Sequence, residues 1–88
     1  MAKFRKKPVV IEAIQYNGPY SVDEMGEDWG GSFTSVAKYA NGFLSIKTLE
    51  SHSAPLEASI GDWIIRGVQG EFYPCREDIF LATYEPAE

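Results

Sequence analysis

The chain has 88 residues, the size of one domain, with 13 acidic against 8 basic residues and a net charge of −5. Its hydrophobic fraction of 44% is enough for a folded core and excludes a disordered composition. The acidic balance argues against general nucleic-acid binding, which depends on neutralising phosphates. A domain this small buries a modest share of its surface, so we expect marginal stability or help from homo-oligomerisation.

The sequence predicts neither a membrane span nor a metal or cofactor site. No apolar run approaches the roughly 20 residues that cross a bilayer. Glu12 and Gln15 interrupt the apolar stretch behind the basic start, so we expect no signal peptide and a cytosolic protein. One cysteine, Cys75, excludes an intrachain disulfide, and with the one histidine, His52, it falls short of a zinc site. Cys75 is interpreted as a small buried hydrophobe, because nothing in the sequence would activate it as a nucleophile.

The first half of the chain predicts a strand and a helix, followed by a segment with two alternatives. β-branched and apolar residues over 9–16 indicate a strand with partial burial on both faces, followed by a turn at "NGPY". Ser21 with Glu24 three residues later forms a capping-box pattern, which predicts a helix that begins at Ser21 and ends at the glycines 30–31. Residues 32–40 fit either a short helix or a strand, and "NG" at 41–42 fits a helix C-cap or a hairpin turn.

The following residues predict β structure and a terminal helix. In residues 43–50, Leu44, Ile46 and Thr48 would share one strand face. Leu56, Ala58 and Ile60 alternate with polar residues, as in a half-buried strand. Turns at 61–62 and 67–70 lead into the strands "WIIR" and "EFYP", and "PCREDIFLATYE" predicts a short helix with acidic residues in its first turn. We therefore predict an α+β fold for a small single domain, 1–88. It would be a curved antiparallel β-sheet with one or two short helices, the last at the C-terminus.

The block from Gly61 to Phe80 has two interpretations. In the structural one, its glycines supply turns, and Trp63, Ile65 and Phe72 fill the core. In the functional one, Arg66, Tyr73 and Arg76 converge on one rim. There, a glycine turn and a helix N-terminus would bind an anion, and an aromatic face would stack a base.

Charged residues elsewhere allow similar alternatives. The basic cluster at the N-terminus is either a solubilising arm or a phosphate-facing rim that Pro8 holds near the sheet; its members are Lys3, Arg5, Lys6 and Lys7. The carboxylates of residues 23–28 are interpreted as a solvated helix face rather than a cation site, because no histidine lies nearby in the sequence. The chain has no nucleophile elbow, P-loop, HExxH motif or dinucleotide fingerprint, so we expect no catalytic residues and not an enzyme.

Two stretches, "KFRKKPVVIEAIQY" and "GDWIIRGVQGEFYPCREDIFLATYEP", resemble a family of small, largely uncharacterised bacteriophage and prophage proteins. The shared features are a basic opening, a Pro-Val-x-x-Glu-Ala strand and a closing Gly-x-x-Gly-Glu-x-Tyr-Pro-Cys block. The resemblance covers nearly half of the chain and leaves residues 18–42 outside it. It implies a phage-encoded accessory protein that acts in the host cytoplasm, and it implies no reaction.

These observations lead to two hypotheses. The first is a non-enzymatic, oligomeric protein that sequesters a phosphate-bearing small ligand such as a cyclic-nucleotide defence signal. In it, Arg66 and Arg76 contact phosphate and Tyr73 or Trp63 stacks on a base. The basic N-terminus closes the site through Arg5 and Lys7.

The alternative is a protein–protein interaction module, either an inhibitor of a host enzyme or a minor virion-associated component. Here the aromatics of "FYP" and the terminal helix form the contact surface, and the acidic segment 23–28 complements a basic partner.

Overall fold

Short strands and helices alternate along the chain in the computed structural model, which describes residues 2–3, 9–48 and 54–87. In the described part, β1, β5 and β6 form a first antiparallel sheet in the order β1-β5-β6, and the other strands form a second in the order β2-β3-β4. The two sheets meet where β4 contacts β6. The predicted α+β class, with its last helix at the C-terminus, is confirmed. In chain order the elements are β1 (Glu12–Gln15), α1 (Pro19–Trp29), α2 (Gly31–Thr34), β2 (Ala37–Ala40), β3 (Phe43–Ile46), β4 (Leu56–Ala58), β5 (Trp63–Arg66), β6 (Phe72–Cys75) and α3 (Glu77–Thr83).

The first strand is shorter than predicted. β1 begins at Glu12, because its partner strand β5 ends at Arg66, directly opposite Glu12. Residues 9–11 extend beyond that last pair and have no ladder, although their composition favours a strand.

Helix α1 is confirmed, but its predicted capping box is wrong. The helix begins at Pro19 after Gly18, which has a φ of 104° that favours glycine. Proline suits this first helical position because its missing N–H would have no partner there. Ser21 lies inside the helix, where its hydroxyl donates to the Gly18 carbonyl at 2.6 Å and accepts from the Asn17 N–H at 2.9 Å.

The ambiguous segment 32–40 contains both predicted alternatives. Helix α2 fills its first part and strand β2 its second. Asn41 and Gly42 have φ values of 55° and 81°, the left-handed pair that a two-residue hairpin turn needs. The hairpin alternative at 41–42 is therefore confirmed, and Leu44 and Ile46 share a buried face of β3 as predicted.

Strand β4 differs from its predicted half-buried pattern. Ala58 is buried, but Leu56 and Ile60 are exposed. Leu56 is the first residue of the strand at the end of the sheet, and Ile60 lies in the turn after it. Both positions lie at the margin of the described fold, so alternation alone overestimates their burial.

The main core lies between the helices α1 and α2 and both sheets. Three rings meet at its centre, where the Phe72 ring lies 5.0 Å from Trp29 and 5.4 Å from Phe33. The buried members of this core are Tyr16, Met25, Trp29, Phe33, Leu44, Ile46, Ala58, Ile64 and Phe72.

Helix α3 covers the opposite face of the first sheet. Neighbouring strand residues point to opposite faces, so Ile64 enters the main core while Ile65 and Trp63 face α3. The predicted burial of Ile65 and Phe72 is confirmed, and Trp63 is half-buried on the α3 side. Within residues 2–3, 9–48 and 54–87, no helix combines the length and apolar content needed to cross a bilayer.

Candidate binding surfaces

The two arginines predicted to hold phosphate each lie beside a carboxylate. Arg66 Nη1 lies 3.7 Å from Glu12 Oε1, and its side chain is 40% exposed. The same Glu12 oxygen accepts a 2.7 Å hydrogen bond from Trp29 Nε1. Arg76 Nη2 lies 3.1 Å from Asp78 Oδ2. Both guanidinium charges are therefore partly offset by the chain itself.

The predicted common rim for the arginines and Tyr73 does not form. Arg66 pairs with the first residue of β6, whereas Arg76 follows the last residue, so they lie at opposite ends of the β5–β6 hairpin. Tyr73 pairs with Ile65, the neighbour of Arg66, and therefore lies on the other face of the sheet. The register is continuous along this hairpin, and no bulge turns one end towards the other.

The aromatic residues predicted to stack a base lie on the face of the first sheet that α3 covers. The Trp63 and Phe80 rings stack at 4.4 Å with an angle of 8° between them, so one face of the indole is covered. The pKa of Tyr73 is raised to about 12, mainly by burial and also by a hydrogen bond with the Tyr84 side chain.

The backbone positions predicted to bind an anion lie beside carboxylates of the chain. The Glu71 carboxylate lies over Gly67, where a side chain would clash with it, and Glu71 Oε1 accepts from the Gln69 N–H at 3.0 Å. Glu77 and Asp78 occupy the first turn of α3. A phosphate at either position would compete with a carboxylate that is already there.

Arg5 and Lys7 lie outside the described residues, as does His52. The phosphate-contact role of Arg5, Lys7, Arg66 and Arg76 stays a prediction, and so does the base-stacking role of Trp63 and Tyr73.

Cys75 has the environment of a protonated thiol. Burial is the main cause that raises the pKa of the Cys75 thiol, and the nearby carboxylates of Asp62 and Asp78 raise it further. A protonated thiol is a poor nucleophile and a poor metal ligand. Among residues 2–3, 9–48 and 54–87, no cluster of three or more His, Cys, Asp or Glu side chains could hold a metal ion.

The edge strand β2 carries outward backbone groups that the sequence did not reveal. The Lys47 N–H donates to the Val36 carbonyl at 2.9 Å, which fixes the hydrogen-bonded pairs of the β2–β3 ladder. Lys38 lies two residues after Val36, so its N–H and C=O also point towards β3. Ala37 and Tyr39 turn theirs away, towards the side where no strand of the described chain pairs with β2.

A groove of about 460 Å³ runs between α1 and β2, and we call it the α1–β2 groove. Asp23 and Glu27, one helical turn apart, are exposed residues along it, and Phe33 in its lining is buried. Glu24 and Asp28, the other acidic pair of α1, are not part of its lining. The residues that line it are Val22, Asp23, Gly26, Glu27, Phe33, Thr34, Ala37 and Tyr39.

Strand β1 forms the corresponding edge of the first sheet. The Tyr16 N–H donates to the Asp62 carbonyl at 2.8 Å, so the even-numbered residues of β1 bond to β5. Ala13 and Gln15, with Ile11 before them, turn their N–H and C=O groups outwards. An apolar groove of about 280 Å³ lies beside this edge on the α3 side, and we call it the β1–α3 groove; its lining is Val9, Val10, Ile11, Ala13, Trp63, Phe80, Tyr84, Glu85, Pro86 and Ala87.

Neither a protein-family model, nor a curated protein, nor a solved structure matches this chain. Its function is therefore inferred from the two edges, the two grooves and the charges around them.

Proposed function

We propose that this chain is a protein–protein interaction module that binds a basic, extended segment of a partner protein as an added strand on β2. The observation that carries the proposal is a sheet edge that no strand of the described chain pairs with, directly beside a groove that carries the carboxylates of Asp23 and Glu27. The acidic segment 23–28 thus contributes the charge complementarity that the sequence suggested for a basic partner.

The backbone of β2 supplies the first part of the recognition. The outward N–H and C=O groups of Ala37 and Tyr39 match the spacing of an extended peptide, which would lie about 4.8 Å from β2. Such main-chain bonds give affinity without depending on the sequence of the partner.

The α1–β2 groove determines which side chains of the partner segment are accepted. Every second side chain of the added strand falls on the face of Ala37 and Tyr39, above the buried ring of Phe33. Small apolar side chains fit there, and lysine or arginine side chains reach Asp23 and Glu27. Because both carboxylates are exposed, each charge pair adds little affinity, and the charges mainly steer a basic segment to this edge.

The resemblance to phage proteins would make the partner a host or virion protein. The phosphate-ligand hypothesis has less support, since its arginines lie apart and beside carboxylates. It predicts that Arg66→Ala or Arg76→Ala abolishes the thermal shift produced by a cyclic dinucleotide without unfolding the protein. Unchanged affinity in both variants would exclude it.

A displayed library of random extended peptides tests the proposal directly. Selection on the full chain should enrich peptides in which every second residue, the one that faces the groove, is basic or small and apolar. Fluorescence anisotropy of the best peptide should then show about tenfold weaker binding for the double variant Asp23→Lys, Glu27→Lys, a loss of about 1.4 kcal/mol. The matched control is Glu24→Lys, Asp28→Lys, which changes the net charge equally but lies outside the groove lining and should bind nearly as well as the wild type.

Ala37→Pro tests the backbone contribution. The N–H that proline lacks points away from β3, so the β2–β3 ladder should persist while strand addition is blocked. Circular dichroism checks that the variant is folded. Enrichment of acidic peptides, equal losses in the two charge variants, or full binding by folded Ala37→Pro would contradict the proposal.

A further inference from the structure

We propose that β1 is a homodimerisation edge, along which two copies of this chain pair antiparallel and join their first sheets into one continuous sheet. This surface lies on the opposite sheet from the α1–β2 groove. The inference goes beyond the proposed function and does not depend on it.

The backbone of this edge is complementary to itself. The outward N–H and C=O groups belong to Ile11, Ala13 and Gln15. A two-fold axis beside Ala13 places Ala13 opposite its own copy and Ile11 opposite Gln15 of the copy. Each of these pairs then exchanges two hydrogen bonds, as in an ordinary antiparallel ladder.

Charge disfavours one of the two neighbouring registers. An axis beside Glu12 would place two carboxylates directly opposite each other, which is destabilising. With the axis beside Ala13, each Glu12 lies opposite Ile14 of the copy. Arg66 further offsets the charge of Glu12 in each subunit.

The side chains of this edge lack the features that keep sheet edges apart. Natural edge strands usually carry lysine, proline or a bulge where they must not pair. Residues 9–15, "VVIEAIQ", contain no lysine and no proline, and Val10 is 77% exposed. β2 contrasts with it, because it runs beside the exposed carboxylates of Asp23 and Glu27. Those carboxylates repel a second copy of a chain whose net charge is −5.

The β1–α3 groove provides an apolar surface on which the second copy can pack. Ile11 and Ala13 lie in the groove beside Trp63, and the same two residues of the copy would extend this apolar layer.

Sedimentation equilibrium of the full chain over a dilution series tests the dimer. The wild type should sediment at twice the monomer mass of 9.8 kDa, with dissociation only on dilution. Ala13→Pro should sediment as a folded monomer. Its missing N–H points away from β5, so the β1–β5 ladder is kept while pairing across the axis is blocked.

A second pair of variants keeps the test decisive if Ala13→Pro fails to fold. Val10→Lys places a charge at the edge of the interface and should weaken the dimer about tenfold or more. Phe43→Lys, at a side chain that is 57% exposed on the second sheet, should leave the dimer unchanged. Ala37→Pro should lose peptide binding and remain dimeric, which separates the two proposals. A wild type that is monomeric at every concentration, or a Val10→Lys variant as dimeric as Phe43→Lys, would overturn the inference.

Discussion

Glu12 joins three elements that are distant in the sequence. Its carboxylate accepts from the indole N–H of Trp29 in α1 and lies beside the guanidinium of Arg66 in β5. Trp29 is buried, and this carboxylate is the acceptor of its indole N–H. In the sequence Glu12 only interrupts an apolar strand, but in the fold it links β1 to α1 and β5 through polar contacts.

Removal of this carboxylate should destabilise the fold. We expect Glu12→Ala to lower the free energy of unfolding by about 0.5–1.5 kcal/mol, because it removes the hydrogen bond to Trp29 at a position where water can reach the freed N–H. Glu12→Gln retains an oxygen for Trp29 and should cost less than Glu12→Ala. Urea denaturation measures both, with Glu57→Ala, at an exposed position of β4, as the control. Equal stability of Glu12→Ala and Glu57→Ala would contradict this assignment.

Tyr73 should make stability depend on pH in alkaline solution. Burial, followed by the Tyr84 hydrogen bond, raises its pKa from 10.0 to about 12. Because the pKa of Tyr73 is higher in the folded than in the unfolded state, its contribution to the free energy of unfolding is fully present below pH 10. That contribution is lost as the pH rises towards about 12. Burial, and to a smaller extent the neighbouring Tyr39 side chain, also raises the pKa of Tyr16. Tyr16 should therefore add to the same loss of folding stability at high pH.

The variant Tyr73→Phe isolates this effect. The free energy of unfolding of the wild type should fall steeply between pH 10 and about 12, and that of Tyr73→Phe should fall less. Tyrosinate absorbance during an alkaline titration should show one late-titrating group fewer in the variant. An unchanged slope in Tyr73→Phe would show that Tyr73 does not carry the dependence.

At the scale of elements, glycine turns fix the register of the hairpins. Gly42 has a φ of 81° with open space around it, so a substitution there meets backbone strain and no steric clash. Gly31 also has open space, but its φ lies outside the left-handed region. The two positions therefore form a matched pair for a test of backbone strain.

Alanine at these two positions should have opposite effects. Gly42→Ala should destabilise by about 1–2 kcal/mol, the cost of a left-handed residue with a side chain. Gly31→Ala should stabilise by about 0.4–1 kcal/mol, because it restricts the unfolded chain. Thermal denaturation of the two variants compares them directly. A loss of equal size at both sites would mean that strain in the β2–β3 turn is not the cause.

The sequence predicted the elements whose signals are local. The hairpin of β5 and β6 follows from alternation and glycine turns, and the terminal helix from its acidic first turn. The start of α1 was missed because Ser21 bonds backwards to Gly18, which leaves the same residue pattern as a cap. Burial at Leu56 was overestimated because it depends on which layers lie nearby.

The candidate surfaces could not be read from the sequence, because they depend on strand order. The pairing of β1 with β5 brings Glu12 to Arg66, and the pairing of β5 with β6 separates Arg66 from Arg76. The spacing of Asp23 and Glu27 was visible as a helical face, but its position beside an open edge of β2 was not. Local patterns predict elements, whereas edges and grooves belong to the tertiary fold.

At the scale of the whole molecule, the edge strands β1 and β2 have different surroundings. β1 borders an apolar groove, and its one carboxylate is offset by an arginine. β2 borders a groove that carries exposed carboxylates on a chain of net charge −5. The first edge suits a second copy of the chain, and the second edge suits a basic partner. The same sheet chemistry can therefore serve assembly and recognition without competition.

Residue-resolved amide hydrogen exchange tests the central claim, strand addition on β2, most directly. In the free protein the outward amides of Ala37 and Tyr39 should exchange fast, and the inward amide of Lys38 slowly. At saturating concentrations of the selected basic peptide, Ala37 and Tyr39 should become protected while Lys38 changes little. Peptide binding that leaves the amides of Ala37 and Tyr39 exchanging as fast as before would contradict the account.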